Sequence, residues 1–293
     1  MEVGPRDGLQ NESATLNLEQ KIKFIRLLEE AGHSDIEIGA FVNPQKIPQM
    51  TGTAELARAL RNDKGPRFWA LVPNERGFTD FQETGLKHLA VFTAASETFN
   101  QKNINTSIDG SFKRFEIFIP QAKKEKIKLR GYVSTCFGCP YEGAVKPQAV
   151  LKVAERLLKL GIHEISIGDT IGVANPKQVR SLTKSLLKMV GPKKLALHFH
   201  DTRGTALANI LAGLEEGVHI FDSSSGGLGG CPYAPGAAGN VATEDVVYML
   251  DGMGVQTGLD LKKIVEASRY VQDCLNRSLP SRYFQAAITE SPR

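Results

Sequence analysis

Cysteine is scarce: there are four in 293 residues, Cys136, Cys139, Cys231 and Cys274. That is too few for a disulfide scaffold in a chain of this length, so a reducing, cytoplasmic setting is expected. Long apolar runs are missing as well. None approaches the ~20 residues that a bilayer-spanning helix needs, so no membrane partner is expected. Nor does charge of one sign dominate. The 36 Lys and Arg against 32 Asp and Glu leave a formal charge of +4, too mild a bias to suggest nucleic acid, though compatible with an anionic ligand. The basic run Lys123-Lys124-Glu125-Lys126 reads as the solvated end of a helix. No signal peptide or amphipathic transit segment is expected. Met1 is followed at once by Glu2-Val3-Gly4-Pro5, which reads as the end of a strand entering a loop, with the strand expected to begin further upstream. There is no composition break and no solenoid-type repeat. One domain over residues 1–293 is therefore expected, with a helical extension from about residue 258.

What is present is an ordinary globular composition, 41% hydrophobic and 23% charged, in which β-rich runs alternate with amphipathic helical ones. Strands are predicted at Glu2–Gly4, Asp35–Ile38, Arg67–Val72, Leu86–Thr93, Lys128–Ser134, Glu164–Ile167, Leu195–His200 and His219–Ser223. Between them lie helices with readable ends. Asn17 can cap a helix with Gln20 reaching back as in a capping box, Leu18, Ile22, Ile25 and Leu28 share one face, and Gly32 suits the position that ends it. Pro147 opens a later helix that Gly161 ends, and Asn175-Pro176 supplies the cap and first residue of the next, with Val179, Leu182 and Leu186 facing the sheet. Further helices are predicted near Thr53–Arg61, after Asn74, over about Ile108–Lys126, over Thr202–Glu216, after Thr243, and once more over about Gly258–Arg277. Eight strand–helix units in series, with no long linker, predict a closed (β/α)8 barrel with an additional C-terminal helix; a doubly wound open sheet is the alternative.

His198 and His200 stand two apart on the seventh predicted strand, so both side chains fall on one face. If that face points inward, both imidazoles emerge at the C-terminal mouth, where barrel active sites lie. Asp7 lies just past the first strand at the same rim, and closure leaves only one strand between it and the histidines. The three can therefore converge on a metal ion. The plainer readings are a hydrogen-bonded histidine pair and a turn-capping aspartate. Arg6, beside Asp7, is placed to donate to a developing oxyanion. The glycine-rich stretch Ser223–Tyr233 carries Cys231 and reads as a mobile lid that brings a thiol to the mouth. It lacks the Lys-Ser/Thr of a phosphate loop, and a plain loop with an incidental cysteine is the other reading. Cys136-Phe137-Gly138-Cys139 has no second pair at zinc spacing, so a structural loop is expected. Gly-Cys-Pro-Tyr occurs at 138–141 and again at 230–233. Asp169 and Glu37 offer carboxylates at the rim, with an internal salt bridge to Arg6 as the plainer reading of Glu37. His33, His88, His163 and His219 are isolated and read as structural or solvated.

In these residues the chain resembles the 3-hydroxy-3-methylglutaryl-CoA lyases over nearly its whole length. The resemblance rests on Val3–Glu12, on Arg130–Ser134, on Gly138–Gly143, on Ile167–Gly172, on His198-Phe199-His200-Asp201-Thr202 and on Gly227–Tyr233. Arg-Asp and His-x-His alone point only to the wider group of metallolyases and Claisen-type synthases; the Gly-Gly-Cys-Pro-Tyr loop is the lyase feature. The resemblance implies that Asp7, His198, His200 and Asn240 bind a divalent metal, Mg²⁺ or Mn²⁺, and that Arg6 faces the thioester oxygen of an acyl-CoA substrate. It further implies that Cys231 is the loop thiol, that Glu37 and Asp169 are acidic groups of the active site, and that Gln10 belongs to the substrate loop. A homodimer is the expected assembly.

Two departures from the family pattern carry their own expectations. Ser225-Gly226 stands where Val-Ala is common, which predicts a looser lid, and Ser278 stands where animal enzymes have Lys, which removes a basic contact to CoA. The reaction these residues predict is a retro-Claisen cleavage. His198 or Asp169 takes the hydroxyl proton, Arg6 stabilises the enolate and Cys231 protonates it. Alternatives are a lyase for a longer 3-substituted glutaryl-CoA and a Claisen-type synthase of the isopropylmalate or homocitrate group. Those synthases usually carry a long C-terminal extension.

Overall fold

The computed structural model describes residues 1–61, 64–230 and 239–290. Seven strands pair in parallel in chain order: β1 (Asp35–Ala40), β2 (Arg67–Leu71), β3 (His88–Ala94), β4 (Lys128–Ser134), β5 (Glu164–Asp169), β6 (Leu195–Phe199) and β7 (Ile220–Asp222). The eighth position is filled by the short run around Glu2. Glu2 bridges Ile36 of β1 on one side and Ser223, just past β7, on the other. Its amide donates to Asp35 and its carbonyl accepts from Glu37, while Val3 donates to the Ser223 carbonyl. This closes a (β/α)8 barrel. The predicted strand Glu2–Gly4 is cut short because Pro5 has no amide hydrogen for the ladder. The chain instead winds into one π-helical turn, Gly4–Gly8, closed by Gly8 N donating to the Val3 carbonyl over 3.1 Å.

The helices are α1 (Leu18–Glu30), α2 (Thr53–Leu60), α3 (Glu75–Gln82), α4 (Glu97–Ile104), α5 (Ile108–Lys124), α6 (Pro147–Lys159), α7 (Pro176–Val190), α8 (Ala206–Glu215), α9 (Thr243–Gly252), α10 (Leu261–Leu275) and α11 (Arg282–Glu290). The expected capping box of Asn17 with Gln20 forms, and Asn175 caps its helix as expected and forms a second box with Gln178. Val179, Leu182 and Leu186 are buried, as their spacing predicts. Helix α8 starts four residues later than its pattern suggests. Asp201 accepts from the Ala206 amide, and Gly204 takes a positive φ in the intervening turn. Two helices, not one, follow α9. In the outer core Phe78, Phe81, Phe112, Phe115 and Phe118 pack α3 and α5 together over the sheet; deleting one such ring costs about 3–5 kcal/mol.

Below the glycine-rich stretch lies a buried acidic network. Glu2 accepts from the amides of Gly4 and Ser225 and from the hydroxyls of Ser225 and Thr243. Glu244 at the start of α9 accepts from the Gly226 amide with both oxygens, at 3.0 and 2.9 Å, and from Ser268. The looser lid expected from Ser225-Gly226 is therefore not found at this end. Ser225 supplies a hydroxyl that Glu2 holds, and Gly226 adopts φ +67° with its amide clamped.

Burial pushes the Glu244 carboxyl from an ordinary value of 4.5 up to about 8, and burial moves Glu2 in the same direction. A raised acid binds its proton more tightly when folded, so its contribution to stability is complete below pH 4.5 and is lost as the pH rises to about 8. Thermal melts across that interval should slope downward, and Glu244→Gln should flatten part of the slope. A variant with the wild-type slope would contradict this.

Candidate metal and active site

The π-turn sets Arg6 and Asp7 at the C-terminal mouth of the barrel, facing β6. A Cβ on Gly8 would lie 2.8 Å from Cβ of Leu228, so only glycine lets this turn lie against the segment leading to residue 230. His198 points inward from β6, and His200 follows one residue past the strand end, where it bridges Asn240. Each histidine is only 8% exposed. Asp7 Oδ2 stands 3.9 Å from His198 Nε2 and 3.8 Å from His200 Nε2. One ligand atom from each of the three residues lies within 4.8 Å of the others. Asn240 joins them, its Nδ2 donating to Asp7 Oδ2 over 2.8 Å and to the Leu228 carbonyl over 3.2 Å.

This donor set fits a divalent cation. A carboxylate and two imidazoles converge, and their spacing lies within the span of a shell whose bonds are about 2.0–2.2 Å. Burial opposes the charge on Asp7, but Arg6 and the two histidines outweigh it and hold the carboxyl well below its usual range. Asp7 is therefore an anion ready to ligate. Asn240 would ligate through its amide oxygen.

Arg6 is fixed from two sides. Its Nε donates to Glu37 Oε2 over 2.5 Å and its Nη1 to Asp7 Oδ1 over 2.6 Å, and the guanidinium lies 5.4 Å from the centre of the Tyr132 ring. The internal salt bridge is thus the contact that Glu37 makes. Burial pushes the Glu37 carboxyl upward against the pull of Arg6. Asp169, at the end of β5, is fully buried and turned into its own loop, where its two oxygens accept from the amides of Val173 and Ala174 at 3.0 and 2.9 Å. Gln10 sits half-buried just after the π-turn. Cys231 lies outside the described residues. The Cys136–Cys139 pair is buried and hydrogen-bonded, Cys136 to the Val133 carbonyl and Cys139 to Ser96, which is the structural loop expected. Arg277 spends its guanidinium on Glu12.

Asp222 escaped the reading of the sequence. It closes β7 in register with His198 on β6. Its Oδ2 accepts from Ser166 Oγ over 2.8 Å and lies 3.3 Å from His198 Nδ1, and its Oδ1 pairs with Arg130. The available signal was an acid at the C-terminal end of a barrel strand.

Comparison with known proteins agrees with this architecture. The chain is 48% identical over 288 residues to "3-hydroxy-3-methylglutaryl-CoA lyase, cytoplasmic" of Mus musculus, covering 98% of this chain and 84% of that protein. It is 46% identical over 291 residues to "3-hydroxy-3-isohexenylglutaryl-CoA/hydroxy-methylglutaryl-CoA lyase" of Pseudomonas aeruginosa, covering 99% of this chain and 97% of that protein. A solved HMG-CoA lyase from Acinetobacter baumannii, in complex with coenzyme A and 3-methylmalate, superimposes with a TM-score of 0.94 at 39% identity, covering 100% of this chain and 95% of that one. Residues 1–271 match the model of the HMGL-like family, and with relatives this similar over nearly the full length, the chain belongs to that family.

Proposed function

We propose that this chain is a metal-dependent carbon–carbon lyase that splits 3-hydroxy-3-methylglutaryl-CoA into acetoacetate and acetyl-CoA. The observation that carries the reading is the convergence of Asp7, His198 and His200 beside a doubly anchored Arg6 at a barrel mouth. The mouse and Pseudomonas relatives bear the name of this activity, and the Acinetobacter structure holds coenzyme A. An acyl-CoA ester is the substrate class that follows.

Asp7, His198, His200 and Asn240 would hold the ion, with Mg²⁺ or Mn²⁺ proposed for a mixed oxygen and nitrogen set. A divalent ion, when bound, supplies Lewis acidity toward the substrate's oxygens and lowers the pKa of its 3-hydroxyl. The hydroxyl proton leaves to a base, the C2–C3 bond breaks, and its electron pair becomes the enolate of acetyl-CoA. Both candidate bases are already engaged: Asp169 has both oxygens bound to backbone amides and holds its loop, and His198, with Nε2 toward the ion and Nδ1 toward Asp222, takes the proton only by letting the ion go. Arg6, held rigid by Glu37 and Asp7, presents its remaining edge to the enolate oxygen, where a preorganised donor acts without reorganisation. Cys231 is the proposed acid that returns a proton to the enolate carbon, and Gln10 contacts the substrate from the first loop.

The direct test is to incubate the purified chain with 3-hydroxy-3-methylglutaryl-CoA and Mg²⁺ and to measure acetoacetate. Steady product formation is expected. None under conditions where a working lyase turns over would overturn the reading. A second substrate is favoured by the Pseudomonas relative, whose name includes the isohexenyl homologue. Comparing kcat/KM for the two esters decides between them.

A further inference from the structure

The metal cluster accounts for one nitrogen of His198 and leaves open what fixes the other. A neutral imidazole ligates through the nitrogen that lacks a proton, so the partner of the second nitrogen sets which one is free. In this chain Nε2 faces Asp7, so Nδ1 has to carry the hydrogen. Nδ1 lies 3.3 Å from Asp222 Oδ2.

Asp222 is built to stay in place and to stay ionised. It is 1% exposed, and Arg130, itself 1% exposed, pairs with its other oxygen. Ser166 donates to Oδ2 over 2.8 Å, fixing the rotation of the carboxylate toward β6. Arg130 in turn reaches Glu164 and lies 4.9 Å from the centre of the Tyr132 ring. The acid and the serine stand on β7 and β5, which flank β6, and the arginine on β4, the next strand beyond β5, so the barrel itself supplies the rigidity.

We infer that Asp222 is a positioning residue for the metal centre: it holds His198 in the tautomer with hydrogen on Nδ1, so that Nε2 is presented bare toward Asp7. The inference rests on the proposed metal site, but it concerns metal binding and not turnover. Arg130 and Ser166 act one step further out, by orienting Asp222. An asparagine at 222 has the same shape but can turn an N–H toward Nδ1. That favours hydrogen on Nε2, which blocks the ligating nitrogen.

The test uses the full chain and Mn²⁺ as the probe. In the ¹⁵N spectrum of metal-free enzyme at alkaline pH, with His198 assigned by its loss in His198→Gln, the wild type should show hydrogen on Nδ1. Asp222→Asn should move it to Nε2 and weaken Mn²⁺ binding by calorimetry roughly 10- to 100-fold, the range for lost partners of ligating histidines. Ser166→Ala should weaken binding in the same direction by less. A wild type with hydrogen on Nε2 would overturn the inference, as would Asp222→Asn binding Mn²⁺ with wild-type affinity. If Asp222→Asn fails to fold because Arg130 loses its counter-charge, the wild-type spectrum and Ser166→Ala decide alone. Mn²⁺ binding without acetoacetate formation would count against the proposed activity and leave this inference standing.

Discussion

Stripping the divalent ion from this chain will abolish acetoacetate formation, and Mg²⁺ or Mn²⁺ will restore it. The reason lies in the buried cluster. Asp7, His198 and His200 converge, and Arg6 Nη1 lies 2.6 Å from Asp7 Oδ1. Charge developing on the substrate during cleavage needs a cation opposite it. Lewis-acid stabilisation is worth several kcal/mol, and each ~1.4 kcal/mol is tenfold in rate, so a loss of roughly 10²-fold or more is expected. His200→Ala should reproduce much of this loss by opening the ligand shell, with bound metal per chain falling in parallel and the melt of the metal-free chain little changed. Full activity after exhaustive chelation, with metal content near zero, would remove the ion from the mechanism.

Arg6→Gln should lower kcat by about 10²-fold or more, on the scale of a lost oxyanion donor, and move KM less. The geometry explains the asymmetry. Glu37 and Asp7 already hold Nε and Nη1, so the guanidinium is oriented before substrate arrives. Its benefit is largest where negative charge appears, on the enolate oxygen. The competing role is structural, because Glu37 is fully buried and leaving a buried charge unpaired costs about 3–5 kcal/mol. Glutamine retains a donor for Glu37, so a melt recorded beside the kinetics separates the two. Near-normal kcat with a lowered melting temperature would make Arg6 only the counter-charge of Glu37.

Local chemistry carried most of the fold into the sequence. Asn17 with Gln20 and Asn175-Pro176 mark helix starts because each cap satisfies backbone donors within a few residues. The His198–His200 spacing placed both imidazoles together because alternation along a strand is fixed. What escaped depended on partners distant in sequence. Helix α4 follows a good cap at Ser96 but is rich in Thr and Asn, which favour turns, and α11 is anchored by Asp245, some 37 positions earlier. The π-turn follows from Pro5 meeting a closed ring, which no window of sequence displays. Asp222 becomes meaningful only when β6 and β7 are set in register. Asn240 came from family resemblance, and nothing in its own neighbourhood announces it.

The bond from Asn240 to Asp7 joins residues 233 positions apart. Its consequence concerns synthesis. A chain emerging N-terminus first presents Asp7 well before the two histidines and the asparagine, which follow only after most of the barrel has been made. Early strands can pair and early helices can cap while the cation has no pocket to enter. Contacts of such long range form late and slowly. With the ion held as proposed, metal uptake is a record of completion: the ion is retained only by a molecule whose first turn has met its last strands, and it adds its binding energy at the seam where Glu2 bridges both neighbours.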